Sequence, residues 1–269
     1  MLKKNLLTYK KIPSKITVRF VGVPCSQPAP GIVGQQYWRE QLARRLVLEE
    51  PYFLVGLNLE QDLRLDGFVH GRTLPTVVVE TPFSGFDDYL AGLRSDYRRR
   101  IRLIRRSWNG VEERRSDCSV FGPAEYALYE GVYERSQAKL EKLGPEFFRN
   151  LDNRFVLTRY YRQQRLIGWH ITLIDGDVFY FFLEGHDPSV NDVYFNMLLG
   201  VMQQGLESGA ARIDLGQTAE IPKMRLGGRL VERRMFATHQ SRFVQLIVER
   251  TKRLLEYNRR VPETHVFRT

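Results

Sequence analysis

The sequence predicts an α/β (α+β) fold, a mixed and mostly antiparallel central sheet flanked by helices. Three observations carry this expectation. The stretch from Arg154 to Lys223 reads as a strand, strand, strand, helix, strand unit. Asp175-Gly176 falls between two of those strands, where it favours a tight hairpin turn. Phe86, Leu90, Leu93, Tyr97, Ile101, Ile104 and Trp108 recur at helical spacing, an apolar stripe over about six turns. With 269 residues, 43% of them hydrophobic, the chain can fill a sizeable core.

In chain order, the N-terminal stretch is broken by Pro13, Pro24, Pro28 and Pro30 around one strand from Ile16 to Val23. Trp38, Leu42, Leu46 and Val47 recur at helical spacing between Gly34 and Glu50, and Pro51 closes that helix. Tyr52 to Leu57 and Thr76 to Val79 are strands, the second rich in β-branched valine. The Phe86 to Trp108 helix follows, with Ser84 as a candidate cap. Tyr126, Tyr129, Tyr133 and Leu140 mark a helix that stops at Gly144-Pro145, before a short helical turn from Glu146 to Leu151.

Arg154 to Tyr161, Arg165 to Ile174 and Asp177 to Glu184 form an antiparallel meander. Asp187 as N-cap and Pro188 at the first helical position start a helix whose inner stripe is Phe195, Leu198, Leu199, Met202 and Leu206, ending near Ser208-Gly209. Ala211 to Leu215 is a short buried strand, Gly216 to Gly228 a loop or short helix, and Arg229 to Gln240 a strand. Ser241 to Arg259 is an amphipathic helix with Phe243, Leu246, Ile247, Leu254 and Leu255 on its apolar side.

The charge points to an anionic partner. Lysine and arginine total 41 against 31 acidic residues, a net charge of +10 with arginine in excess over lysine. Arginine's planar fork pairs with phosphate and carboxylate. Seven arginines lie between Arg94 and Arg106, and Arg94, Arg98, Arg102 and Arg106 fall in one i, i+4 register. Like charges so placed repel, so an anion would stabilise the helix. No long apolar run suits a membrane span, and the N-terminus is too soon polar for a secretory signal, which predicts a cytoplasmic protein. Cys25 and Cys118 lack metal-ligand spacing and read as ordinary thiols, and no metal site is expected.

The run FDDYLAGLRSDYRRRIRLIRR, then LIGWHITLIDGDVFYFFLEGHDP, then IDLGQTAEIPKMRLGG resembles the Fem-like (FemAB/FemX-type) branch of the GNAT acyltransferase superfamily, over Phe86 to Gly228. The closing pattern is Asp214, Leu215, Gly216, Lys223, Leu226 and Gly227. The resemblance implies transfer of an acyl or aminoacyl group from a thioester or an aminoacyl-tRNA onto an amine, with the donor as co-substrate and no tightly bound cofactor. It also implies an acyltransferase core over 85–240, a degenerate N-terminal half over 1–84 resembling a partial second GNAT-like unit, and a basic C-terminal helix and tail over 241–269. One feature departs from the coenzyme A users of the superfamily. Where they place glycines that admit a pyrophosphate to backbone N–H groups, this chain has Gly185, His186, Asp187, Pro188, Ser189, Val190 and Asn191. Asp187 repels phosphate and Pro188 lacks an N–H.

An amine attacking an ester or thioester needs a base, donors for the oxyanion and an acid for the leaving group. Glu184 and His186, two apart at a strand end, are the candidate bases, although strand-end groups are often merely solvated. The same parity aligns Glu184 with Phe182 and Tyr180, an apolar flank. Lys223 is the candidate charge stabiliser. Asp214 and Gln217 are substrate-binding candidates beyond a strand end, with local capping of Gly216 the rival role for Asp214. Arg135, Tyr180, Tyr194 and Phe148 complete the substrate-binding set, Tyr194 as a leaving-group acid, with packing the rival role for Tyr194 and Phe148 and a surface position the rival for Arg135. Arg98, Arg99, Arg102 and Arg105 are the candidate donor or polyanion site. His170 reads as a core histidine.

The expected partner is a small-molecule or precursor amine substrate, with tRNA and a peripheral membrane contact through the C-terminal helix as further candidates and DNA not expected. Two rival readings stay open. The arginine helix and the C-terminal helix could bind RNA without any transfer. Arg242, Phe243, Ile247, Arg250, Lys252, Arg253 and Leu254 could instead form an interfacial helix of a membrane-surface acyltransferase acting on a lipid.

Overall fold

β-Branched and aromatic runs such as RLIGWHITLID and VFYFFLEGH pair into sheet, and helices cover the sheet with an apolar face. The computed structural model describes residues 18–22, 32, 34–49, 53–59, 67–136 and 142–268. Cys25, Leu140 and the prolines at 13, 24, 28 and 30 lie outside them, as do the side chains of Val47 and Leu255. Two units emerge, one from the described residues of 1–23, 28–75 and 232–260, the other from those of 76–231 and 261–269. Segments from both ends of the chain thus contribute to the smaller unit.

In the smaller unit β1 (Val18–Val21) runs parallel to β2 (Phe53–Leu59), which pairs antiparallel with the far end of β9 (Arg229–Thr238). Strand residues alternate between faces. Leu54 and Phe236 therefore meet α1 (Gln36–Glu49) through Ala43, while Phe53, Val55 and Ala237 meet α8 (Arg242–Leu255) through Val244 and Val248. This corrects the expected apolar faces. Trp38 and Leu42 of α1 are exposed while Ala43 and Arg39 turn inward, and Phe243, Leu246, Ile247 and Leu254 of α8 are exposed. A helical repeat locates an apolar stripe, but the fit of small residues against the strands decides which face is buried.

The larger unit carries the mixed, mostly antiparallel sheet. Its strand order is β3 (Val69–Glu80), β8 (Arg212–Gln217), β7 (Val178–His186), β6 (Arg165–Asp175), β5 (Phe155–Arg162) and β4 (Val111–Ser116). β7 and β8 are parallel and the other pairings described are antiparallel. The hairpin turn at Gly176 has φ +59°, as Asp-Gly favours. The β5–β6 turn uses Gln163 and Gln164 at φ +48° and +65°, a conformation that the residue types do not announce.

Helices α2 (Phe86–Gly92), α3 (Ser95–Arg106) and α6 (Val193–Glu207) cover one face of this sheet. Leu198, Leu199, Met202 and Leu206 pack there against Val77, Val79, Phe179, Phe181 and Ile213. The expected single helix from Phe86 to Trp108 is two. Leu93 and Arg94 are extended because Leu93 bridges to Phe267, with Arg94 N–H donating to the Val266 carbonyl at 2.9 Å and Arg268 N–H to the Gly92 carbonyl at 3.0 Å. Ser84 is not a cap; its N–H and hydroxyl both donate to Asp88. The Asp187-Pro188 start of α6 is also corrected, since the helix begins at Val193. Asp187 instead accepts from the Ser189 N–H at 2.9 Å and hydroxyl at 2.7 Å and pairs with Arg165, closing a turn.

On the opposite face lie α4 (Pro123–Arg135) and α5 (Pro145–Arg149), where Phe121 stacks on Phe148 at 4.4 Å and the Trp169 indole donates to the Glu125 carbonyl at 2.8 Å. His170 of β6 is fully buried, as expected of a core histidine, and burial pushes its pKa down to about 3. The folded state thus stays neutral at His170 while the unfolded chain takes up a proton below about pH 6.5. Stability is therefore lost as pH falls between these values. Between about pH 7 and about pH 4.5 the wild type should lose about 2 kcal/mol more than His170→Leu in urea unfolding.

Candidate active site

The site grows from an irregularity in β7. Leu183 pairs with Ile171 and Phe181 with Thr172, so Phe182 is one residue too many for β6. Such a bulge breaks the two-residue alternation. Phe179 and Phe181 face α6, whereas Phe182 packs on the opposite face with Phe147 and Phe155. Beyond the bulge Glu184, paired with His170, returns to the α6 side. The expected flank of Glu184 is thereby corrected: Phe182 and Tyr180 are not beside it, and Phe181 shares its face. Gly185 permits the crossing, because a Cβ there would lie 2.5 Å from the Trp169 indole nitrogen and 2.8 Å from the Tyr129 backbone nitrogen.

β7 and β8 then part. Their parallel ladder runs from Val178 with Arg212 to Tyr180 with Asp214, while β7 continues to His186. Near these strand ends five groups come together. Glu184 meets His186 Nδ1 at 2.8 Å, and both side chains are mostly buried. A carboxylate can only accept, so Nδ1 is the donor, and in the neutral imidazole Nε2 holds the lone pair. The His186 ring lies 5.6 Å from the Tyr194 ring. Burial, then the Glu184 and Glu220 carboxylates, push the Tyr194 hydroxyl well above the usual tyrosine range.

Lys223 sits on the short helix α7 (Glu220–Met224), reached through a turn with Gly216, Thr218 and Ala219 at φ +74°, +61° and +47°. Left-handed backbone at threonine and alanine is strained by about 1 kcal/mol each. The Lys223 ammonium donates to the Gly216 carbonyl at 3.2 Å and the Gln217 carbonyl at 2.8 Å, pinning that turn. Burial lowers its pKa to about 8, against the raising influence of Asp214, Glu220 and Glu184. Glu220 is itself buried, and a lone glutamate at the start of a five-residue helix gives no signal in the sequence.

The remaining candidates divide. Asp214 takes the capping role, accepting from the Gly216 N–H at 2.8 Å and the Thr76 hydroxyl at 2.5 Å. Gln217 is buried and pairs with Thr76. Arg135 is exposed and reaches the His186 carbonyl at 3.4 Å, at the rim. Tyr180, paired with Leu173 and Asp214, lies across the bulge from the cluster. Phe148 is fully buried in the aromatic core and lines no accessible wall, which corrects its placement as a substrate contact. On α3, Arg99 and Arg102 are exposed, Arg98 donates to the Ala91 carbonyl at 3.3 Å, and Arg105 bonds Gln203 at 3.0 Å over the Phe86 ring. No group of three or more His, Cys, Asp or Glu side chains able to hold a metal occurs among the described residues, and no helix there is long and apolar enough to cross a membrane.

The lowered pKa of Lys223 has a measurable sign. Between about pH 8 and about pH 10.4 the unfolded chain keeps a proton that the folded chain has released. Stability therefore rises with pH through that window. Compared with Lys223→Met, the wild type should gain about 2 kcal/mol in urea unfolding between about pH 7.5 and about pH 10.

Comparison with known proteins agrees with this architecture. Residues 91–224 match the family described as an acetyltransferase (GNAT) domain. Among solved structures, FemX superposes with a TM-score of 0.56 at 14% identity, covering 89% of this chain and 84% of that one. L-PGS from Bacillus licheniformis gives 0.55 at 10%, covering 79% and 76%. A C-terminal domain described as belonging to a lysylphosphatidylglycerol synthetase of Agrobacterium fabrum gives 0.53 at 11%, covering 81% and 76%. No curated protein matches the chain. Residues 91–224 thus carry a GNAT acetyltransferase domain, on a fold shared with FemX and L-PGS.

Proposed function

We propose that this chain transfers an acyl or aminoacyl group from an activated donor onto an amine, and that the Glu184–His186 pair is its base. The observation that carries the reading is the 2.8 Å contact between the Glu184 carboxylate and His186 Nδ1 on the face that also holds Tyr194 and Lys223. His186 Nε2 takes the proton as the amine attacks the ester or thioester carbonyl. The Tyr194 hydroxyl gives its proton to the departing oxygen or sulfur and recovers one from His186, so the proton count closes. Lys223 serves as charge stabiliser for the oxyanion, in keeping with its position beside the strand ends.

An aminoacyl-tRNA is the favoured donor. The Asp187 turn offers a carboxylate held by Ser189 and Arg165 where a pyrophosphate would need bare N–H groups. The exposed Arg99 and Arg102 present guanidinium groups suited to a phosphate backbone. The donor acts as a co-substrate, and a cytoplasmic setting fits a tRNA-borne donor. The acceptor is a small or precursor amine.

The test is transfer from charged tRNA and from acyl thioesters onto an amine panel, read by mass spectrometry. Glu184→Gln should lower turnover by about 10²- to 10⁴-fold with its melting temperature unchanged. Arg99→Glu with Arg102→Glu should lose transfer from tRNA and keep transfer from a small thioester. Salt-sensitive RNA binding with no transfer from any donor would replace the proposal with the RNA-binding reading.

A further inference from the structure

Helix α8 carries two apolar faces, and the sheet uses one. Val244 and Val248 pack on Val18, Phe53, Val55, Val69 and Ala237. On the other side Phe243 and Leu254 are 72% and 76% exposed, and Leu246 and Ile247 are 44% and 46% exposed. The positions 243, 246, 247, 250 and 254 step by three or four and form one continuous stripe along the helix. Four large side chains in water on one stripe call for a cover.

The charges choose the cover. Arg250 lies within the stripe, and Arg242 and Arg253 are exposed beside it, with Lys252 half-buried. Glu249 is the lone acidic side chain in Arg242–Leu255. A second copy docking here would oppose like charges and enclose the Arg250 guanidinium in a dry contact, which is costly without a partner. An anionic lipid surface has neither difficulty. Arginine stems lie along the apolar surface while the guanidinium groups rise to the phosphates, and the phenyl and aliphatic groups enter the acyl boundary.

We propose that α8 lies in the plane of an anionic membrane surface, with Phe243, Leu246, Ile247 and Leu254 inserted and Arg242, Arg250 and Arg253 on lipid phosphates. This surface is independent of the reaction assigned to the other unit, and its failure would leave that assignment untouched. It adds a location: an enzyme held there would meet acceptor amines displayed at the membrane.

The experiment is co-sedimentation of the full chain with vesicles of phosphatidylcholine containing about one third phosphatidylglycerol, and with pure phosphatidylcholine vesicles. The wild type should partition about tenfold or more better onto the anionic vesicles, with the preference falling as salt rises. Phe243→Ser with Ile247→Ser, both solvent-facing, should lose about tenfold or more of that binding with the melting temperature unchanged. Arg250→Gln with Arg253→Gln should lose the anionic preference. Equal partitioning of the wild type and the Phe243/Ile247 variant overturns the proposal, as does a concentration-dependent dimer that the same pair abolishes, which would give the face to a second copy.

Discussion

A strand whose side chains alternate strictly cannot bury Phe181 on the α6 side, Phe182 on the opposite side and still return Glu184 to the first. One surplus residue resolves this. The bulge opposite Ile171 and Thr172 lets both aromatic clusters keep their packing and turns Glu184 and His186 toward Tyr194 and Lys223. The cost is a locally broken ladder, offset by burial of Phe179, Phe181 and Phe182, each about 2 kcal/mol when fully removed from water. Gly185 supplies the clearance, with Trp169 and the α4 backbone pressed against the place where a Cβ would stand.

The second constraint is a buried ammonium. Lys223 is 3% exposed, and two carbonyls of a strained turn solvate it. The arrangement works in both directions. The turn gains a partner for carbonyls at a strand end, and the lysine is fixed near the carboxylates of Asp214, Glu220 and Glu184 that keep it charged. Where β7 and β8 cease to pair, this fixed charge and the Glu184–His186 pair stand near the strand ends, where open α/β sheets accept ligands.

Much of this was legible residue by residue. The meander from Phe155 to His186 follows from β-branched and aromatic runs and one Asp-Gly turn, because local pairing and turn chemistry decide it. The closing segment marks Lys223, and two-residue spacing places Glu184 and His186 on one side of a strand end. What stayed hidden is set by distant neighbours. The break at Leu93 and Arg94 comes from residues near Val266, far along the chain; the late start of α6 comes from Arg165 taking Asp187; and the bulge at Phe182 exists because two faces compete for adjacent phenylalanines. Glu220 had no signal of its own. Nor could periodicity tell that α1 and α8 turn their larger apolar residues to water, since that depends on Ala43, Val244 and Val248 fitting the strands.

The proposed base requires Glu184 to fix the tautomer of His186, since only an Nδ1 donor leaves Nε2 free to accept a proton. Nitrogen-15 chemical shifts of His186 near neutral pH measure this directly. The expected result is that the neutral form of His186 carries its proton on Nδ1 and shifts toward the Nε2-protonated form in Glu184→Gln. A neutral His186 protonated at Nε2 in the wild type, unchanged by Glu184→Gln, would contradict it.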